Sequence, residues 1–234
     1  MHRRIGFILA IAITATVAVC GVIHAYRQYI ANSPAIEPDA NIYPIRGIDI
    51  SAHNGVIDFE KVKNAGYQFA IIKATEGTDF KDSMFIDNLR QARQAGLKVG
   101  AYHFFRFDTD GYLQALNLLH SLRYRKLDFP IAIDIERFGN PDGYQASTII
   151  SRLQDMITCL EKEGVDIILY SNKDDYDKYL KGKFDNYPIW ICTFTEPEPN
   201  LNWAIWQYSH RGKIDGIKGD VDLNTIKTEF YRSL

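Results

Sequence analysis

The octapeptide Phe129-Pro130-Ile131-Ala132-Ile133-Asp134-Ile135-Glu136 restricts the folds open to this chain more than any other stretch. It carries isoleucine at every second position and then ends in two carboxylates. Successive side chains of a strand face opposite sides. Ile131, Ile133 and Ile135 therefore share one face, and Ala132, Asp134 and Glu136 share the other. The isoleucine face needs a packed layer over it, as strands under a cover of helices have. The opposite face runs from a small residue into two acids roughly 6.6 Å apart along the strand, two residues of rise. Desolvating such carboxylates is costly unless they have partners. Two of them on one face directly after a buried run mark a candidate functional site.

From Pro44 onward, strands of this kind alternate with amphipathic helices. Strands are expected at 46–50, 68–73, 97–104, 129–136 and 165–170, and helices near 58–65, 83–95, 110–123, 144–163 and 174–180. Asp58 is placed to cap the first helix, and Gly96 and Gly164 to stop two others. After that the rhythm changes. Strands at 187–192, 203–208 and 217–221 leave little room for helices between them. Alternating βα units argue for a parallel sheet. Eight strands in fewer than 200 residues argue for closure into a barrel whose last helices are missing. The expected class is α/β: a single TIM-like β/α barrel with its later helices reduced, preceded by an N-terminal apolar segment.

That segment opens with His2, Arg3 and Arg4 and runs apolar from Ile5 to Ala25. About 20 apolar residues suffice to span a bilayer, and basic residues ahead of the run keep the start in the cytoplasm. Residues 1–28 read as a signal peptide or a membrane anchor, and Arg27 with the length of the run favours the anchor. Residues 29–43, with Ser33, Pro34 and Pro38, read as a linker, and 44–234 as the barrel. The barrel is expected outside the cytoplasm, membrane-anchored if the segment stays and secreted or periplasmic if it is cleaved. Net charge is −2, and setting aside Arg3, Arg4 and Arg27 leaves −5 for the rest, so no basic field invites nucleic acid. Cys159 and Cys192 fit no metal or redox spacing and read as core thiols.

In a β/α barrel, function sits where strands end. The strand ends here supply Asp49, Lys73 with Glu76, Tyr102 with His103, Asp134 with Glu136, Tyr170, Trp206 with Gln207, and Asp222. Acids for catalysis, rings for stacking and an amide for hydroxyls suit a carbohydrate. Plainer readings stand beside this one. Lys73 could do no more than neutralise Glu76 or Asp49, and His103 fits a hydrogen-bonded core position. Asp220 shares its strand face with Asp222. The cluster at 174–177 suits the acidic first turn of a helix. Two other functions compete: a metal-dependent hydrolase holding Mg²⁺ or Ca²⁺ with the four acids, and a glycan-binding module without chemistry. The intact pair Asp134 and Glu136 argues against the second.

Gly47-Ile48-Asp49-Ile50-Ser51 with His53-Asn54-Gly55, Lys73-Ala74-Thr75-Glu76-Gly77, Gly100-Ala101-Tyr102-His103-Phe104, Asp134-Ile135-Glu136, and Trp206-Gln207-Tyr208 followed by Asp220-Val221-Asp222-Leu223-Asn224 form an ordered set. In order and spacing, this set resembles glycoside hydrolase family 25, the lysozymes (N-acetylmuramidases) that cut peptidoglycan. The resemblance implies a flattened, irregular barrel. It also implies hydrolysis of the β-1,4 bond between N-acetylmuramic acid and N-acetylglucosamine in peptidoglycan glycan strands, without metal or cofactor. The barrel is expected to be monomeric. By motif position Glu136 is the general acid and Asp134 its partner, with Asp49 and Asp222 completing an acidic floor. Lys73, Tyr102 and Tyr170 match positions along the sugar groove, which Trp206 and Gln207 are expected to join. No wall-binding repeat follows the barrel before Leu234, so wall targeting is expected from the groove or the N-terminal segment. Glu136 reaches further from its strand, while Asp134 is expected deeper and anionic. Retaining, inverting and substrate-assisted routes all stay open, because strand rise does not separate them.

Overall fold

The computed structural model describes residues 36–123 and 125–234. Its elements are β1 (Arg46–Ile50), a 3-10 turn (Ala52–Asn54), α1 (Phe59–Asn64), β2 (Phe69–Glu76), β3 (Phe80–Lys81), α2 (Phe85–Gln94), β4 (Lys98–Phe104) and α3 (Gly111–Leu122), then β5 (Ile131–Asp134), α4 (Ala146–Lys162), β6 (Ile167–Asn172), α5 (Lys173–Asp175) with a π turn (Tyr176–Leu180), β7 (Ile189–Cys192), β8 (Trp203–Gly212), β9 (Val221–Ile226) and α6 (Thr228–Ser233). Aspartate side chains cap the starts of α1 and α3. Asp58 Oδ1 accepts from Lys61 N at 3.2 Å and Asp110 Oδ1 from Leu113 N at 2.9 Å.

The strands pair in the order β1-β9-β8-β7-β6-β5-β4-β2, and β1 also pairs with β2, which closes an eight-stranded barrel. The two-residue β3 is a short antiparallel flap on β2. Strand pairs from β1–β2 round to β7–β8 are parallel, but β9 is antiparallel to both its neighbours. The parallel sheet expected from the βα alternation thus holds for seven barrel strands, and the eighth is reversed. The segment between β8 and β9 is too short for a crossover helix, and a short connection joins only antiparallel strands. The last strand also lies later than 217–221, because that stretch forms the turn, with Gly216 and Gly219 both at φ 99°. Being reversed, β9 starts at the end of the barrel where the parallel strands finish. Asp222 therefore reaches the mouth from the beginning of its strand.

Alternation sorts the side chains into two apolar layers. Ile131, Ile133 and Ile135 join Ile48, Ile72, Val99 and Leu169 under the helices, while Phe69, Ile71, Ala132, Ile168 and Trp190 fill the barrel interior. Helix α6, not foreseen from the sequence, covers the base: the Tyr231 ring lies 6.5 Å from both Phe69 and Phe129. Helices α3 and α4 touch so closely that a Cβ on Gly111 would fall 1.7 Å from Arg152 O. Cys159, in the outer layer, and Cys192, packed against the interior cluster, are both free thiols. Among the described residues no helix is long and apolar enough to cross a membrane. The apolar run 5–25 lies outside them.

Candidate active site

The C-terminal ends of the parallel strands open into a cavity of about 320 Å³. Asp49, Lys73, Glu76, Tyr102, Asp134, Glu136, Tyr170, Gln207 and Asp222 all line it, so the structure brings together all but one of the acids and sugar-groove residues expected there. Grooves of about 690 and 630 Å³ on the flank and base of the barrel gather no cluster of buried carboxylates.

The exception is Trp206. It packs in the outer layer, 1% exposed, edge-on to Tyr43 at 5.8 Å and Tyr208 at 6.0 Å, with Nε1 donating to Thr193 O at 2.7 Å. Neighbouring strand residues point in opposite directions, so Trp206 and Gln207 cannot both face the mouth. An irregularity between the pairs Ile189↔Trp203 and Trp190↔Ile205 leaves both Ala204 and Ile205 on the interior and Gln207 at the site. The tryptophan at the mouth is instead Trp190, whose ring stands 4.8 Å from that of Tyr170.

Asp49 is the hub of the floor. Its Oδ2 accepts from Gln207 Nε2 at 2.8 Å and from Asn224 Nδ2 at 2.7 Å. Both amides are themselves held, Gln207 by the Tyr170 hydroxyl at 2.9 Å and Asn224 by Trp190 Nε1 at 2.8 Å. Asp49 also shares a hydrogen bond with Asp222, its register partner across β1 and β9. Burial pushes the Asp49 carboxyl up, although the amide donors oppose it. Burial and then the charge of Asp49 push Asp222 up to about 9. A hydrogen bond between two carboxyls needs one proton, and Asp222, which lacks the amide donors, carries it.

Asp134 ends β5, and Glu136 follows two residues later with its inward parity kept by the Ile135 N–H donating to Tyr170 O at 2.9 Å. Asp134 is only 8% exposed, and its Oδ1 has no hydrogen-bond partner. Burial, then the charges of Glu136 and Asp49, push its carboxyl well above the usual range. The same burial and neighbouring charges work against the anionic form expected of the deeper acid. Burial first, then the charges of Asp175 and Asp49, push Glu136 up to about 7. Lys73 opposes both shifts. Its Nζ lies 2.7 Å from Glu76 Oε2, whose other oxygen meets Arg106 Nη1 at 3.3 Å, and 5.0 Å from the Phe104 ring centroid. The ion pair and the place in the mouth are thus both real. His103 faces outward, bonded to Thr75 Oγ1 at 2.8 Å and Gln114 Oε1 at 3.0 Å, and burial pushes it down to about 4. It is a neutral core residue. Asp220 pairs with Lys213 at 2.7 Å on the surface and leaves the site to Asp222. Among the described residues no three of His, Cys, Asp and Glu stand close enough to hold a metal ion.

The family model for glycosyl hydrolases family 25 matches residues 48–217. The chain belongs to this family. It is a glycoside hydrolase of mixed α/β barrel fold. Over 90% of this chain it is 34% identical to the uncharacterized protein YegX of Escherichia coli K12, covering 79% of that protein. Lysozyme M1 of Streptomyces globisporus is 33% identical over 81% of this chain and 70% of its own length. A family 25 glycosyl hydrolase structure from Bacillus anthracis superposes with a TM-score of 0.75 at 33% identity, covering 86% of this chain and 98% of that one.

Some residues of this family 25 site escaped the sequence reading. Trp190 was legible from alternation across 187–192, which pairs its face with that of Cys192. Asn224 lay within the recognised motif, but its bond to Asp49 spans 175 positions. Phe104 and Phe138 flank the cavity, Phe138 being 84% exposed, and nothing local to either residue signals this. Asp175, expected as a helix-turn acid, is buried beside Glu136.

Proposed function

We propose that this family 25 barrel hydrolyses the β-1,4 bond between N-acetylmuramic acid and N-acetylglucosamine in peptidoglycan, with Glu136 as general acid and Asp134 as its partner. The observation that carries the proposal is the pooling of Asp49, Asp134, Glu136 and Asp222 in one cavity beside Lys73, which is itself paired with Glu76. Relatives named autolytic lysozyme, lysozyme M1 and N,O-diacetylmuramidase support the choice of substrate. Glycosidic bonds break when the leaving oxygen gains a proton while an anion or nucleophile meets the oxocarbenium-like centre. Four crowded acids cannot all ionise, so the mouth retains protons near neutrality. Glu136, titrating near 7, holds its proton over mildly acidic pH and gives it to the leaving oxygen.

Asp134 lacks a donor for Oδ1, and the N–H of a 2-acetamido group is the donor such a substrate brings. That bond would turn Asp134 anionic and aim the acetamido oxygen at the anomeric carbon, which favours the substrate-assisted route. Asp49 and Asp222, sharing a proton, keep the floor rigid. Tyr102, Tyr170, Gln207 and Lys73 border the sugars. The same proposal places the barrel 44–234 outside the cytoplasm, tethered or released according to whether 1–28 is retained, with 29–43 as spacer. Protease acting on cells with a permeabilised envelope should then degrade the barrel, whereas full protection with cytosolic activity would rule out export.

The test is to incubate the purified protein with peptidoglycan sacculi and analyse the products by mass spectrometry. Fragments with muramic acid at their reducing ends are expected. Glucosamine at those ends would mean a different enzyme, and binding without release would mean a glycan-binding module.

A further inference from the structure

Beside Glu136 lies a carboxylate that the reaction as described does not use. Asp175 closes the short α5 helix after β6 and is 1% exposed. Its Oδ2 accepts from the backbone N–H of Arg137, the residue after Glu136, at 2.8 Å, and from Asn172 Nδ2 at 2.8 Å. Its Oδ1 accepts from Arg137 Nε. Asn172 Oδ1 in turn accepts the Asp175 N–H at 3.0 Å, and the Asn172 side chain also meets the Glu136 carboxyl. One residue earlier, Ser171 Oγ donates to Ile135 O at 2.7 Å. The chain leaving β5 is thus fastened to the chain leaving β6 at Ile135 and Arg137, on both sides of Glu136.

We propose that Asp175 is a positioning residue for Glu136: through Arg137 N–H and Asn172 it fixes where the acid stands, and its charge keeps the proton on that acid, with the Arg137 guanidinium tempering the effect. The inference rests on Glu136 being the general acid. Such an arrangement differs from a plain structural clamp in one respect. A clamp needs hydrogen bonds only, whereas here a buried charge of the same sign as ionised Glu136 stands beside it, which raises the cost of losing the proton. After burial, Asp175 is the largest cause of the upward shift of Glu136. The other ionisable groups around Glu136 are Asp134 on its own strand, Asp49 from β1, Asp222 from β9, Lys73 from β2, Tyr170 from β6 and Cys192 from β7. Removing Asp175 leaves all six in place.

The experiment compares the pH dependence of kcat and KM for the full-length native protein, Asp175→Asn, Arg137→Met and Glu136→Gln on one soluble peptidoglycan substrate. In Asp175→Asn the alkaline limb should move to lower pH by about one unit, the order of a single neighbouring charge. At pH 7 kcat should then fall severalfold while KM stays within about twofold. In Arg137→Met, where the unpaired charge of Asp175 acts more strongly, the limb should move upward. Arg137 is half exposed, so its replacement tests the idea even where Asp175→Asn folds poorly. Limbs unmoved in both variants, or moved in the same direction, would overturn the proposal and leave Asp175 a clamp. A Glu136→Gln protein with near-native kcat would instead remove the general-acid reading itself, so the two failures are told apart.

Discussion

Glu136→Gln separates the two consequences of burying an acid at this mouth. Glutamine keeps the length of the side chain and an acceptor for Asn172 but has no transferable proton. Loss of general acid catalysis costs ~10²–10⁴-fold in kcat, or about 3–5 kcal/mol of barrier, while KM changes little. The native profile should fall through pH 7, because a group titrating at about 7 is only about one-tenth protonated at pH 8. Stability should change in the opposite sense. Raising this carboxyl from 4.5 to about 7 means that the folded state binds the proton more tightly than the unfolded state. Its contribution is therefore complete below pH 4.5 and is lost as pH rises through 7. At 1.36 kcal/mol per unit, the penalty at pH 8 is about 3 kcal/mol at most, less what solvent at the half-open mouth screens. Glutamine has no charge to bury. The variant should stay within about 1 kcal/mol of the native protein at pH 5 and melt later at pH 8, by about 2–4 °C for each kcal/mol recovered. Release of reducing ends across pH, with thermal melts at pH 5 and 8, reads both effects. Near-native kcat, or an unchanged alkaline limb in the variant, would refute the assignment of the acid. Equal melting of the two proteins at both pH values would refute the desolvation argument.

Trp206→Phe loses the bond to Thr193 O and some ring volume, so it should cost ~1–3 kcal/mol in denaturant melts and leave kcat/KM within about twofold. Trp190→Phe frees Asn224 from its partner and should lower kcat/KM about tenfold, since Asn224 holds Asp49; the reverse ranking would return Trp206 to the groove. Gly111→Ala sets a methyl against Arg152 O, a backbone atom that cannot swing aside, and should destabilise by about 1–3 kcal/mol or more with the pH profile unmoved. Excess chelator should leave activity unchanged, and a loss restored by Mg²⁺ or Ca²⁺ would revive the metal-dependent reading.

The two faces of the carboxylate strand were legible in the chain, because the parity of side chains along a strand is local covalent geometry. Ile131, Ile133 and Ile135 pack outward and Ala132 inward, and Asp134 and Glu136 reach the mouth. The helix cap at Asp58 was visible for the same local reason, and the ordered motifs carried the family. Other features were decided only when distant segments met. The strand irregularity and the outward face of Trp206 depend on how β8 packs against β7, and the reversal of β9 on a turn that no periodicity marks. Asp175 meets Arg137 across 38 positions and Asn224 meets Asp49 across 175. Protonation was the least legible property. Asp134, Glu136 and Asp222 have the composition of ordinary acids, and what raises them is the water they lose and the charges they acquire when eight strands close on one another. Neither quantity exists in the unfolded chain, where each carboxylate is separately hydrated.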